Sequence, residues 1–461
     1  MRVWNMRIFL WKIQRVALAA VVLLSFCACS KDDYRHAIPR DCTALASVDM
    51  SQLTGNRYQL LLKLLLRSSS LEDLGMDLSQ RVFLFETADG MLGMCVGMAD
   101  ADQLASTLEK LAAIGGCGQP EERRGYRFTL MAGSWVVGYS DVALLLMGPV
   151  AKDGVLEMQN RMARLLAQEE EQGVLGTRIY EKLQSMKGRM NVVAQAQALP
   201  EQVVMPFMLG APQDADASQV YVAAEMSLRD GMLLMDGETF SFNKSVDASL
   251  QEASKIYRPI QGRYIPMLDD EAVMAMLVNV EGKDYLKLLQ SNRSLQSLLA
   301  GVNTAIDMDN ILRSVNGEML VQTTLGQQDE MRMALNAELA HTEWLRDVPY
   351  WKQSCPQGAR LDDWKENAWH FSNGEQSFYF GVTSDAQFYS GTHESRLLAM
   401  LQGVPETSGI SPKLAGELKG SRLVMLLNLE PLNRRQEKSA VVTSWLGKIM
   451  GDVRYIVYRM K

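Results

Sequence analysis

Asp362 and Asp363 lie in a stretch that also carries Trp344, Trp351, Trp364 and Trp369. Neighbouring carboxylates are the raw material of general acid–base catalysis, and aromatic faces can stack on sugars or anchor a protein partner. Together they raise a hydrolase of glycans or peptides as one function class. Against it, adjacent acids on a loop are usually solvated, and glycosidase carboxylates need a set separation in space that sequence spacing does not supply. The same weighing applies to Asp269-Asp270-Glu271. The four tryptophans are half of the eight in the chain, whereas the matching stretch of the first half, residues 102–128, has none. They are the candidate binding residues, to be set against a plain satellite core beneath a long loop.

Other chemistry finds less support. Gly138-Tyr139-Ser140-Asp141-Val142 lacks the closing glycine of a strained nucleophile turn. Neither of the glycine-rich loops that cradle phosphates occurs. His36, His341, His370 and His393 are never spaced as zinc ligands on one element. Asp214, Asp216, Ser218 and Glu225 mimic a calcium loop, but Gln219 stands where the turn needs glycine, and a strand begins at Val220. Met91, Met94 and Met98 invite a soft-metal reading, yet methionine is common throughout the chain, 29 of 461 residues, which fits a flexible core filler. No catalytic residue, metal or cofactor is expected.

The elements that must position these residues begin after a leader. Arg2, Arg7, Lys12 and Arg15 precede an apolar run over residues 16–26, and no acid appears before Asp32. The run suits the core of a signal peptide and is too short for a bilayer interior of about 30 Å. Phe26-Cys27-Ala28-Cys29 resembles a bacterial lipobox, which makes Cys29 the acylated first residue of the mature chain. The stretch that follows, with Lys31, Asp32 and Asp33, resembles the surface-export signal of Bacteroidetes lipoproteins; a solvated tether is the alternative. Residues 1–28 are then the leader and residues 29–38 the tether. Loss of the leader would move the net charge from −7 to −11, and the acidic balance already argues against nucleic-acid binding. Composition, at 47% hydrophobic and 22% charged, excludes wholesale disorder. Cys42, Cys95, Cys117 and Cys355 remain, and three disulfide pairings or free thiols stay open.

Comparing the chain with itself predicts a weak tandem duplication, residues 39–258 and 259–461. Ile38-Pro39 and Ile265-Pro266 each open a strand and a helix, over 43–48 and 51–67 in one copy and 272–280 and 283–290 in the other. A hairpin follows in each, then a helix. Ser134-Trp135-Val136-Val137-Gly138 parallels Ser377-Phe378-Tyr379-Phe380-Gly381, Lys187-Gly188 parallels Lys419-Gly420, and the apolar stretch 203–210 parallels 441–447. Pro259, Gly262 and Pro266 mark the linker. Residues 331–339 alternate as a strand with one partly polar face, Asp230-Gly231 predicts a hairpin turn, and residues 155–168 are amphipathic at helical spacing, with Leu156 on the apolar face and Asp153 as cap. The expected class is α+β, each copy an antiparallel sheet with helices packed on one face.

The lipobox, the Ile-Pro opening, the strand–helix start and the closing strand over 453–460 together resemble an uncharacterised family of Bacteroidetes lipoproteins built on a domain of unknown function. The resemblance implies an outer-membrane lipoprotein, facing the cell surface or the periplasm, and brings no catalytic residues. The expected function is a lipid-anchored cell-envelope protein with a non-enzymatic binding or scaffolding role, its partner a protein or a glycan. An envelope hydrolase and a structural subunit of an outer-membrane assembly are the alternatives.

Overall fold

The structure, a computed structural model, describes residues 33–50, 75–199, 201–291, 306–326, 331–374, 377–403, 409–435 and 453–461. The leader, Cys29, Lys31, Asp32, the helix expected over 51–67 and the stretch 441–447 lie outside these residues. The chain divides into two compact units. The smaller draws on Met1–Arg40, Gly75–Asp77 and Cys95–Leu175; the larger draws on Asp41–Leu74, Leu78–Met94 and Gly176–Lys461. The class is α+β, and among the described residues no helix is long and apolar enough to cross a membrane.

In the larger unit, β1 (Ala44–Asp49) pairs antiparallel with β2 (Arg81–Glu86) and with β8 (Met190–Gln195). The ladder continues through β9 (Tyr221–Arg229) to β10 (Met232–Phe240). Asp230 and Gly231, both at positive φ, make the predicted tight turn between these two strands, whose twist that turn matches. A second series has β11 (Ala272–Glu281) between β12 (Val315–Leu325) and β18 (Leu423–Asn428), and β18 pairs with β19 (Tyr455–Met460). From β12 the order runs through β13 (Met331–Leu339), β17 (Gln387–Gly391), β16 (Ser377–Val382) and β15 (Ala368–Ser372) to β14 (Arg360–Lys365).

One join departs from the expected antiparallel pattern: β10 pairs with β19 in parallel. The two strands are far apart in sequence, so no hairpin constrains their direction. Asp236 stands opposite Arg459 in that register, and Arg459 Nε donates to it at 2.6 Å while also binding Glu417 on the Pro412–Leu418 helix. Burial alone would raise the Asp236 carboxyl, but Arg459 and Lys461 outweigh it and hold it below the usual range.

The segment rich in proline and glycine after Tyr257 is tied to this sheet. Ile260 and Tyr264 are buried, and the carboxylate of buried Glu318 on β12 accepts the backbone N–H groups of Gln261, Gly262 and Arg263. The Tyr264 hydroxyl donates to Gln387 Oε1 at 2.6 Å. A buried carboxylate is tolerable here because three donors replace its water.

In the smaller unit, β4 (Glu121–Arg123), β5 (Tyr126–Met131), β6 (Trp135–Tyr139) and β7 (Ala143–Gly148) form an antiparallel meander. The Ala101–Ala113 helix starts at Asp100, whose carboxylate accepts from the N–H groups of Asp102 and Gln103, and it buries Leu104, Leu108 and Leu111. The Val155–Leu166 helix buries Met158, Met162 and Leu165, but Leu156 is 54% exposed and Asp153 makes no cap. A single 3-10 turn, Lys152–Gly154, precedes that helix and places Asp153 one residue too early to reach the free N–H groups.

Candidate functional site

Three of the four candidate binding tryptophans are core residues. Trp344, Trp351 and Trp369 are 1%, 4% and 7% exposed. The first two come from the 3-10 turn Glu343–Asp347 and the Val348–Gln353 helix, and their rings stack at 5.8 Å and 8°. Trp369 on β15 meets Trp344 edge-on at 6.2 Å, and Phe380 and Phe388 close the cluster. The expected binding face is corrected accordingly: each ring removes a large apolar area from water, and that gain outweighs leaving it exposed. Trp364 is half-buried, packs on Tyr379 at 4.8 Å and donates its Nε1–H to Glu394 at 3.0 Å.

The acids beside the cluster do not converge. Asp362 and Asp363 are consecutive on β14, so they point to opposite faces of the sheet. Asp363 accepts from Lys352 Nζ at 2.5 Å and from Trp369 Nε1 at 3.0 Å, and Lys352 above all holds its carboxyl below the usual range. It is an ionised anchor for the tryptophans, unsuited to donate a proton. Asp269 is bound to Arg396 in a cleft lined also by Asn336 and His393, with room for about one or two water molecules. In the calcium mimic, Asp216 caps Ser218, while Glu225 on β9 accepts from the N–H groups of Lys187 and Gly188. Among the described residues no group of three His, Cys, Asp or Glu is placed to hold a metal ion. Cys42, Cys95, Cys117 and Cys355 are all free thiols, and burial pushes Cys42 up to about 12. Asp33, the described residue of the export motif, caps the 3-10 turn Tyr34–Ala37 and pairs with Arg35.

Sequence reasoning missed a cavity of about 200 Å³ in the larger unit, on the sheet face that carries Tyr458. Its floor is Gly237 and Thr239 of β10, Tyr458 and Met460 of β19, and Leu423 and Met425 of β18. Its roof is Phe207 and Leu209 from the stretch around the 3-10 turn Met205–Met208, together with Leu250 and Ser254 of the Lys244–Ser254 helix, and Tyr257. Phe207 meets the Tyr458 ring edge-on at 4.9 Å. Gly237 admits that ring to the floor: a Cβ there would come within 2.9 Å of Tyr458 Cε2 and 2.5 Å of the Ala223 carbonyl oxygen. The Tyr458 hydroxyl is buried beside Thr239 without a hydrogen bond of good geometry. Burial pushes its pKa, and that of Tyr257, well up, so both phenols stay neutral donors.

The mouth holds Arg422, Glu238 and Lys461. Lys182 binds Glu238 at 2.7 Å and Asp236 binds Lys461 at 2.5 Å, whereas exposed Arg422 has no side-chain partner among the described residues. The one sequence signal was Gly237 itself, since an isolated glycine inside a strand marks a close approach. Such a space, lined by polar and apolar surface in near-equal measure, is of a size to take a small ligand.

Comparison with curated proteins finds no match. A solved structure titled "Structure of crystal form III of TP0453" is similar at 8% identity, over 80% of this chain and 97% of that one, with a TM-score of 0.24, a likeness that carries no functional argument. A family model matches residues 68–404, most of the chain, and on that match the protein belongs to the family described as Domain of unknown function (DUF4836).

Proposed function

We propose that this is a Bacteroidetes lipoprotein, anchored to the outer membrane through acylated Cys29, with a non-enzymatic binding role in the cell envelope. The leader, the lipobox and the acids after Cys29 support the address. The body reads as two tandem copies. In support, β1 pairs with β2 and β8, and β8 with β9, just as β11 pairs with β12 and β18, and β18 with β19. Two four-strand meanders, β4 to β7 and β14 to β17, repeat the correspondence.

The observation that carries binding is the cavity lined by Phe207, Tyr257 and Tyr458. The buried and half-buried acids elsewhere already serve structure: Glu318, Asp269, Asp236 and Glu417 each hold a partner. Fluorine NMR with fluorobenzene tests the cavity. Saturable broadening that is lost in Ser254→Trp, which fills the space from the roof, is the expected result; equal broadening in both proteins sinks the binding site. The anchor is tested by Cys29→Ser, which must abolish acylation and membrane retention.

A further inference from the structure

We propose that the cavity takes a small aromatic carboxylate, its ring among Phe207, Tyr257 and Tyr458 and its carboxylate on Arg422. This deepens the binding reading above and rests on it.

Size sets the first limit. An apolar cavity of about 150 Å³ accommodates benzene, so about 200 Å³ holds one ring with short substituents. The walls set the second. Three aromatic rings with Leu209, Leu250, Leu423 and Met425 offer edges and faces that suit a flat ring. Charge sets the third. Among the three ionic side chains at the mouth, Glu238 and Lys461 are already paired, which leaves the Arg422 guanidinium to attract an anion. A planar guanidinium fork matches a carboxylate in two parallel hydrogen bonds. No bond is made or broken; recognition is the whole event.

Calorimetry on the full chain with para-hydroxybenzoate, benzoate and para-hydroxybenzamide tests the proposal. The hydroxybenzoate should bind about tenfold more tightly than the neutral amide, as a charge-assisted pair at a half-open site requires. Arg422→Met should remove that gap and leave amide binding unchanged; Arg422 is exposed, so the fold survives its loss. Amide and acid binding equally, or a gap that persists in Arg422→Met, overturns the ligand class while the cavity reading stands. If neither these rings nor fluorobenzene bind, the cavity reading itself fails and this inference falls with it.

Discussion

Two aromatic clusters of the larger unit lie against one hydrophobic core, and each buries one donor without a partner: Trp344 Nε1 in the first and the Tyr458 hydroxyl in the second. Around Trp344 the rings stack, meet edge-on and fill the space between the Val348–Gln353 helix and β15. Around Tyr458 the Phe207 ring meets it edge-on at 4.9 Å, and about 200 Å³ stays open beside the pair. The first is packing and the second is a site. Aromatic density in the sequence marks neither; the room left beside the rings does.

The contrast breaks most readily at its filled end. Trp344→Ala should cost about 3–5 kcal/mol in urea unfolding, because the packed cluster cannot close over the lost ring. A cost under about 1 kcal/mol would mean the cluster is loose and the distinction void. At the cavity floor, Gly237→Ala drives a methyl against Tyr458 and the Ala223 carbonyl and should cost about 1–3 kcal/mol while reducing fluorobenzene binding. Stability lost with binding unchanged would put the ligand elsewhere. Tyr458→Phe should alter stability by no more than about 0.5 kcal/mol, since the hydroxyl it removes makes no good hydrogen bond. A large loss would show that Thr239 satisfies the phenol after all.

The smallest effect concerns pH. The Asp363 carboxyl is depressed by Lys352 and then by Trp369, so it stabilises the fold above the ordinary carboxylate pKa. That contribution is lost as pH falls through its depressed folded value. Asp363→Asn should therefore lower Tm slightly near about pH 7 and match the wild type near about pH 2. A difference that persists in acid would mean the variant disturbs packing around Trp369 rather than the ion pair.

Much of the fold was legible as pattern. Residues 331–339 alternate and form β13, Asp230-Gly231 turns between β9 and β10, and the apolar stretch 203–210 supplies buried Phe207, Met208 and Leu209. The stretch also roofs the cavity, which its composition alone does not reveal. The tryptophans were legible as a group, but four aromatic rings in one stretch read the same whether they face water or each other. Residue spacing also could not show that Asp362 and Asp363 diverge, because that depends on their lying on a strand.

Local physics determined the elements: period two makes strands, positive-φ pairs make turns, and acid caps start helices, all within a few residues. A basic leader ahead of an apolar run, and an acidic net charge, are likewise properties of the chain as a string. The parallel join of β10 to β19 and the cavity depend on residues more than two hundred positions apart, and the burial of the tryptophans on how a short helix packs against a sheet. Only packing brings Gly237, Phe207 and Tyr458 together, since space is a property of what surrounds a residue and no single segment carries it.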